Sequence, residues 1–197
     1  MLTIPNINLP YRIMGIDPGT DTLGVAIIDL DLDTYIPTVI FSQTLFGLKG
    51  SRNHLEYAET FGERQAKFYS NQKDLINIIN QFRPTVVISE SPYMGRFAQA
   101  FEALVQCLMM IQSAINTFDP SMSLETIDPS NVKKAVGASG KTKAGGEKNK
   151  TKEALLKLPN LINALPFSFD SLDEHSIDAI AVGCYKLKTI YPNIFNI

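Results

Sequence analysis

Cysteine is scarce in this chain of 197 residues. Its two cysteines, Cys107 and Cys184, both lie in apolar segments and show neither CxxC nor Cys/His spacing. The sequence therefore offers no disulfide framework, and we expect both thiols to be buried and free, as in a reducing compartment. We expect the protein to be cytoplasmic, whether in a bacterium, a phage-infected host cell or an organelle matrix.

A second expected absence is that of long apolar runs. We expect no stretch to approach the length of a membrane span, and the first eleven residues lack a basic region followed by an apolar one. We therefore expect no signal peptide and no membrane partner.

Basic charge is concentrated in one part of the chain. The net charge is -2, yet residues 133–157 contain eight lysines and only two acids, which leaves -8 on the remainder. A basic strip on an acidic body fits a protein that binds phosphates in one place and metal ions in another.

The hydrophobic pattern predicts an α/β fold. We expect an irregular lead-in over residues 1–11 and a single domain over 12–197, with a mobile basic loop at 137–150. Three short apolar runs with turn residues between them indicate an antiparallel meander, and two later strands alternate with helices. Helices are expected at about 54–82, 96–118, 129–136, 151–158 and 172–187.

Two of the predicted strands end on a carboxylate. Asp17 closes the apolar run that starts at residue 12, and Glu90 closes the run that starts at residue 85. If the two strands are neighbours, both acids lie at one sheet edge, where unpaired anions are costly unless cations neutralise them. Oxygen ligands favour Mg²⁺ or Mn²⁺ over zinc. The alternative is that each acid caps a turn or pairs with a lysine.

A third acid lies on the last predicted helix. His175 and Asp178 are three residues apart and share a helix face. The same face continues into small apolar residues that suit packing on a sheet, so we expect Asp178 to point toward the sheet edge. Glu174 and Asp178, four residues apart, form a competing pair, and His175 alone could be a surface residue.

Four motifs in order resemble the RuvC family of Holliday junction resolvases, within the RNase H-like superfamily. They are residues 14–19 (MGIDPG) with Gly24, 88–93 (ISESPY), 131–140 (NVKKAVG…G), and 155–159 (LLKLP) followed by 175–181 (HSIDAIA). The resemblance covers nearly the whole chain after residue 11. The loop at 139–150 is longer and richer in lysine than in the family, and the lead-in has no counterpart.

This resemblance implies a five-stranded mixed sheet flanked by helices on both faces. It also implies a homodimer that nicks opposed strands of four-way and related branched DNA junctions, leaving 5′-phosphate and 3′-hydroxyl ends. The implied metal ligands and catalytic residues are Asp17, Glu90, Asp178 and His175. The implied cofactor is two Mg²⁺ ions per site, for which Mn²⁺ would substitute.

DNA contacts are expected from basic and aromatic residues around these acids. Tyr93 either stacks on an unpaired base or packs beneath the following helix, whose apolar face is the candidate dimer interface. The expected basic contacts are Arg96, Lys133, Lys134, Lys148, Lys150 and Lys152.

Three other functions remain open. The chain could be another RNase H-like nuclease that acts on branched DNA in general or on RNA–DNA hybrids. It could be a non-catalytic junction-binding protein. Residues 15–20 also resemble the phosphate loop of actin-like phosphotransferases, but the chain has room for only one such domain, so we expect no nucleotide cofactor.

Overall fold

The computed structural model describes residues 10–94, 97–138 and 150–195 of the chain. Within these ranges the order of elements is β1 (Tyr11–Asp17), β2 (Thr22–Leu30), β3 (Pro37–Phe46), α1 (Gly47–Ser51), α2 (Leu55–Phe61), α3 (Glu63–Phe82), β4 (Val86–Glu90), α4 (Ala98–Phe118), β5 (Leu124–Ile127), α5 (Pro129–Ala135), α6 (Lys150–Leu156), β6 (Ile162–Asn163), a short 3-10 turn (Phe169–Ser171) and α7 (Glu174–Ile190).

The strands form one mixed sheet in the order β5-β4-β1-β2-β3-β6. The first three strands are the predicted antiparallel meander, and β4 and β5 extend the sheet in parallel with β1. The predicted fold class is therefore confirmed. The sheet has six strands rather than five, because Ile162 and Asn163 pair with the start of β3. A two-residue strand has no sequence periodicity by which it could be recognised.

Helices cover both faces of the sheet. Side chains of a strand alternate between faces, so β1 and β2 supply apolar residues to two separate cores. Ile13 and Ile28 lie in the core beneath α7, with residues of α5 and α6. Met14 and Ile27 lie in the opposite core, beneath α3 and α4. Both cysteines are buried and free, as the sequence predicts.

Glycines allow α7 to lie directly on the backbone of the sheet. A Cβ on Gly15 would collide with the carbonyl oxygen of Ala179, and a Cβ on Gly24 would collide with that of His175. On the helix side, a Cβ on Gly183 would meet the side chain of Ile28 at 2.7 Å. These missing side chains set the height of α7 above β1 and β2.

The helix predicted over residues 54–82 is interrupted. Gly62 divides it into α2 and α3. This glycine has a φ of 89° and lies between the last residue of α2 and the first residue of α3. The prediction of one long helix is wrong because the single glycine of the segment adopts a conformation that other residues rarely take. The short helix α1, directly after β3, was not predicted.

One helix, α4, is long and apolar enough to cross a membrane by length and composition alone. Within its most apolar stretch, 28% is buried. The expectation that no apolar segment approaches the length of a membrane span is therefore wrong. The helix α4 has that length, and Glu102 is its single charged residue. Core helices of soluble proteins meet the same criterion, and α4 buries Met110, Ile111 and Ile115 in the core it shares with α3. Its length therefore does not place it in a membrane.

Two predicted irregular segments fall largely outside the described residues. Of the lead-in at 1–11, only Pro10 and Tyr11 are described, and Tyr11 already belongs to β1. Of the basic loop at 137–150, residues 139–149 lie outside the described ranges, and Lys150 begins α6 instead of ending the loop. Thr151, the first residue of the helix predicted at about 151–158, is a buried residue within α6. A single domain over 12–197 stays a prediction.

We predict that Gly15→Ala destabilises the protein by about 1–3 kcal/mol or more, since the added methyl group must displace the backbone of α7. Chemical denaturation measures the free energy of unfolding. A variant as stable as the wild type would show that α7 does not depend on this close contact.

Candidate active site

Two acidic residues lie side by side at one edge of the sheet. Asp17 is the last residue of β1, and Glu90 is the last residue of β4. The two strands are parallel neighbours, with Ile16 opposite Ser89 in the register. Neighbouring strands are about 4.8 Å apart, so the sheet brings both carboxyl groups to adjacent positions at the same edge.

The third acid comes from the helix that covers this edge. Asp178 lies in the first turns of α7, which packs across β1 and β2. Its side chain is mostly buried, and the hydroxyl group of Thr151 on α6 hydrogen-bonds to it. The close contact of α7 with Gly24 fixes the height at which Asp178 meets the sheet.

Burial and mutual repulsion disfavour the ionised forms of two of these acids. The pKa of Glu90 is raised to about 7, first by burial and then by the charges of Asp17 and Asp178. The pKa of Asp178 is raised to about 6, again first by burial and then by the charges of Asp17 and Glu174. Three carboxyl groups thus share a space that disfavours their full ionisation unless positive charge is added.

His175 joins this set through Asp17. Its Nδ1 lies 2.7 Å from Oδ2 of Asp17, and its Nε2 lies 2.8 Å from Oγ1 of Thr22. The hydrogen bond to Asp17 raises the pKa of His175 above its usual value. Both ring nitrogens are therefore engaged, and His175 acts in this structure as a hydrogen-bond partner of Asp17. To bind a cation, the ring would have to give up one of these two bonds.

Sequence reasoning missed Thr22 in this arrangement. The available signal was the antiparallel pairing of β1 and β2, which brings the start of β2 to the edge where β1 ends. Glu174, the competing acid, is an exposed residue at the start of α7 whose charge raises the pKa of Asp178. Asp173 caps the helix, because its carboxylate accepts hydrogen bonds from Ser176 and from Thr44 on β3.

The predicted basic contacts occupy different environments. Lys133 is exposed on α5, and its charge lowers the pKa of both Glu90 and Asp178, which places it beside the acids. Lys134 is exposed on the same helix and lowers the pKa of Asp128.

Two further predicted contacts, Lys150 and Lys152, lie on α6. Lys150 is half-buried at its first position. Lys152 donates hydrogen bonds to the carbonyl oxygens of Asp170 and Leu172, at 3.0 and 2.8 Å, and so holds the segment that leads into α7.

Tyr93 is strongly exposed, at 71% of its maximum area, so it does not pack beneath α4. It lies three residues after Glu90, with Met94 and Phe97 also exposed at 69% and 74%. Arg96 and Lys148, the two remaining predicted DNA contacts, lie outside the described residues.

The carboxyl groups of Asp17, Glu90 and Asp178 are chemically suited to bind a divalent cation. Within the described ranges, no group of three His, Cys, Asp or Glu side chains already has the spacing of a metal site. The raised pKa values of Glu90 and Asp178 nevertheless reflect an excess of negative charge that a bound cation would neutralise. Carboxylate oxygens are ligands that Mg²⁺ and Mn²⁺ prefer.

The sheet order and the helices on both faces define the RNase H-like fold that the sequence predicts. RuvC of Thermus thermophilus, solved with a Holliday junction substrate, has a TM-score of 0.60 and 15% identity to this chain, covering 91% of this chain and 95% of RuvC. The yeast mitochondrial Holliday junction resolvase has a TM-score of 0.60 and 12% identity, with coverage of 96% and 85%. The fowlpox virus Holliday junction resolvase has a TM-score of 0.57 and 10% identity, with coverage of 90% and 99%.

The sequence itself matches no protein-family model and no curated protein. At identities of 10% to 15%, the likeness to these resolvases establishes the fold. We therefore infer the roles of individual residues from the geometry of this chain.

We predict that Glu90→Gln stabilises the metal-free protein at alkaline pH. The folded protein keeps the Glu90 proton up to a pKa of about 7, against a usual value of 4.5, so ionisation of Glu90 makes the wild type progressively less stable as pH rises between these values. The advantage of the variant in free energy of unfolding should therefore grow across this range and level off above pH 7.

Denaturation in a chelating buffer from pH 4 to 8 measures this advantage, and added Mn²⁺ should reduce it by stabilising the wild type. Glu59→Gln, at an exposed position of α2, is the matched control. An advantage of Glu90→Gln that does not change with pH would contradict the electrostatic account.

Proposed function

We propose that this protein is a divalent-cation-dependent endonuclease that resolves four-way DNA junctions. The observation that carries the proposal is the convergence of Asp17, Glu90 and Asp178 at one edge of an RNase H-like sheet, with raised pKa values for Glu90 and Asp178. Support for the substrate class comes from the resolvases that share the fold, two of which, RuvC of Thermus thermophilus and the fowlpox virus resolvase, were solved with a Holliday junction substrate.

Each residue of the site has a proposed task in phosphodiester hydrolysis. Asp17, Glu90 and Asp178 would hold two Mg²⁺ ions, for which Mn²⁺ would substitute. Such ions would supply activation of a water molecule and charge stabilisation at the leaving 3′ oxygen, chemistry that would give 5′-phosphate and 3′-hydroxyl ends. His175 orients Asp17 through the hydrogen bond at Nδ1, and Lys133 offsets phosphate charge beside the acids.

We also propose a homodimer, because a two-fold pair of sites matches the near two-fold symmetry of a four-way junction. The predicted interface is the apolar face of α4, of which Met109 is exposed at 68%. Part of that face is explained by core packing, since Cys107, Met110 and Ile111 are buried. Cytoplasmic localisation stays a prediction.

The second candidate function is cleavage of other branched DNA or of RNA–DNA hybrids, since the same acids and fold suit these substrates. Incubation with a four-way junction, a flap, a linear duplex and a hybrid, each labelled, separates the candidates. Preferred cleavage of the four-way junction supports the proposal, and preferred cleavage of the hybrid or the flap would replace it.

We expect Asp17→Asn to abolish Mg²⁺-dependent nicking while junction binding is retained. The substitution removes one negative charge from the proposed cation site but keeps the shape of the side chain. Gel-based cleavage and binding assays on one labelled junction measure both properties, with Asp74→Asn on the exposed surface of α3 as the control. Undiminished cleavage by Asp17→Asn would refute the site, and binding without cleavage by the wild type would indicate a non-catalytic junction-binding protein.

We expect Thr22→Val to slow single-turnover cleavage by roughly 10- to 100-fold, the usual loss when a residue that orients a site side chain is removed. The variant lacks the hydroxyl group that contacts Nε2 of His175. Thr22→Ser keeps a hydroxyl group and should retain most of the rate. Equal rates for the valine and serine variants would mean that this hydrogen bond does not position His175.

A further inference from the structure

The end of β3 carries an exposed aromatic ring with a lysine over it. Phe46 is 45% exposed, and Nζ of Lys49 lies 4.6 Å from the centroid of its ring. Lys49 belongs to α1, which begins directly after Phe46. The proposed nuclease function assigns no role to Phe46 or Lys49.

This ring lies on the same sheet edge and the same sheet face as the candidate active site. Phe46 pairs with Thr22 across β2 and β3, so their side chains lie on one face. Thr22 contacts His175, which contacts Asp17. In the register, Asp17 pairs with Gly24, which is two strand residues from Thr22. Ideal sheet spacings then separate the backbones of Phe46 and Asp17 by roughly 12 Å.

The segment around Phe46 has a basic character that suits phosphate. Residues 34–55 contain no acid and include Lys49, Arg52 and His54. Arg52 is exposed, directly after α1. On the neighbouring turn, Asp21 is already ion-paired with Lys67 at 2.7 Å, so its charge is partly neutralised.

We propose that Phe46, Lys49 and Arg52, here called the β3 ledge, form a DNA-contact surface beside the active site. Phe46 stacks on a base that is unpaired near the branch point of the junction, and Lys49 and Arg52 bind phosphates of the same strand. This proposal rests on the proposed junction-cleaving function and deepens it by adding a second place where the junction is held.

The position of the β3 ledge fits a strand that crosses the sheet edge. Tyr93 lies beyond the end of β4, on one side of Asp17, and the β3 ledge lies on the other side, across β2. At about 3.4 Å of axial rise per nucleotide, the roughly 12 Å between Asp17 and Phe46 corresponds to three or four nucleotides. The flexible stem of Lys49 allows its ammonium group to move from the ring to a nearby phosphate.

Binding of a fluorescent four-way junction in metal-free buffer tests the β3 ledge without cleavage. Phe46→Leu keeps an apolar side chain but removes the ring, and it should weaken binding by roughly 5- to 150-fold, the range for loss of one base–aromatic stack. Phe46→Trp should bind at least as well as the wild type. Lys49→Ala combined with Arg52→Ala should make the salt dependence weaker. The negative slope of log affinity against log salt should lose about 2 in magnitude.

Two variants outside the β3 ledge serve as controls for these changes. Phe167→Leu alters a ring of similar exposure, 44%, beyond β6. Lys73→Ala removes another lysine that lies over an aromatic ring, 5.6 Å from the centroid of Tyr69 on α3. Both should bind the junction like the wild type, and thermal unfolding of every variant should confirm that the fold is retained.

The outcomes separate the β3 ledge from the function on which it rests. If the wild type binds and cuts junctions but the ledge variants bind them equally well, the β3 ledge is refuted and the proposed function stands. If the ledge variants change only the oligomeric state and keep their affinity for DNA, the surface is a protein interface and the proposal is wrong. A wild-type protein that neither binds nor cuts a junction overturns both.

Discussion

α7 crosses β1 and β2 so closely that side chains at Gly15 and Gly24 would collide with its backbone carbonyl groups. A helix held at this height brings Asp178 and His175 to the edge where Asp17 ends β1. With any larger residue at these two strand positions, the helix would have to move away from the sheet. The geometry of the candidate site therefore depends on the absence of two side chains.

Electrostatic repulsion is the second constraint. Burial and the neighbouring acids raise the pKa of Glu90 to about 7 and that of Asp178 to about 6. The fold tolerates this arrangement because Glu90 and Asp178 can keep their protons below these pKa values. In addition, His175 shares a hydrogen bond with Asp17, and Lys133 is nearby. Cations bound at this site would offset that repulsion.

Much of this arrangement could be predicted from the sequence because it depends on local patterns. An apolar run that ends on Asp17, and another on Glu90, already indicate buried strands with carboxyl groups at their ends. Features that depend on tertiary contacts were missed. The sequence does not show that Lys152 bonds to backbone carbonyl oxygens, that Thr22 meets His175, or that Gly62 divides a helix, because each depends on the placement of distant or conformationally special residues.

We propose that Asp17, Glu90 and Asp178 together hold divalent cations. Anomalous scattering from crystals grown with Mn²⁺ locates the ion without reference to activity. We expect anomalous peaks in contact with carboxylate oxygens of all three residues, and loss of those peaks in Asp17→Asn. The absence of any peak at this edge of the sheet at saturating Mn²⁺, or a peak held by other residues, would contradict it.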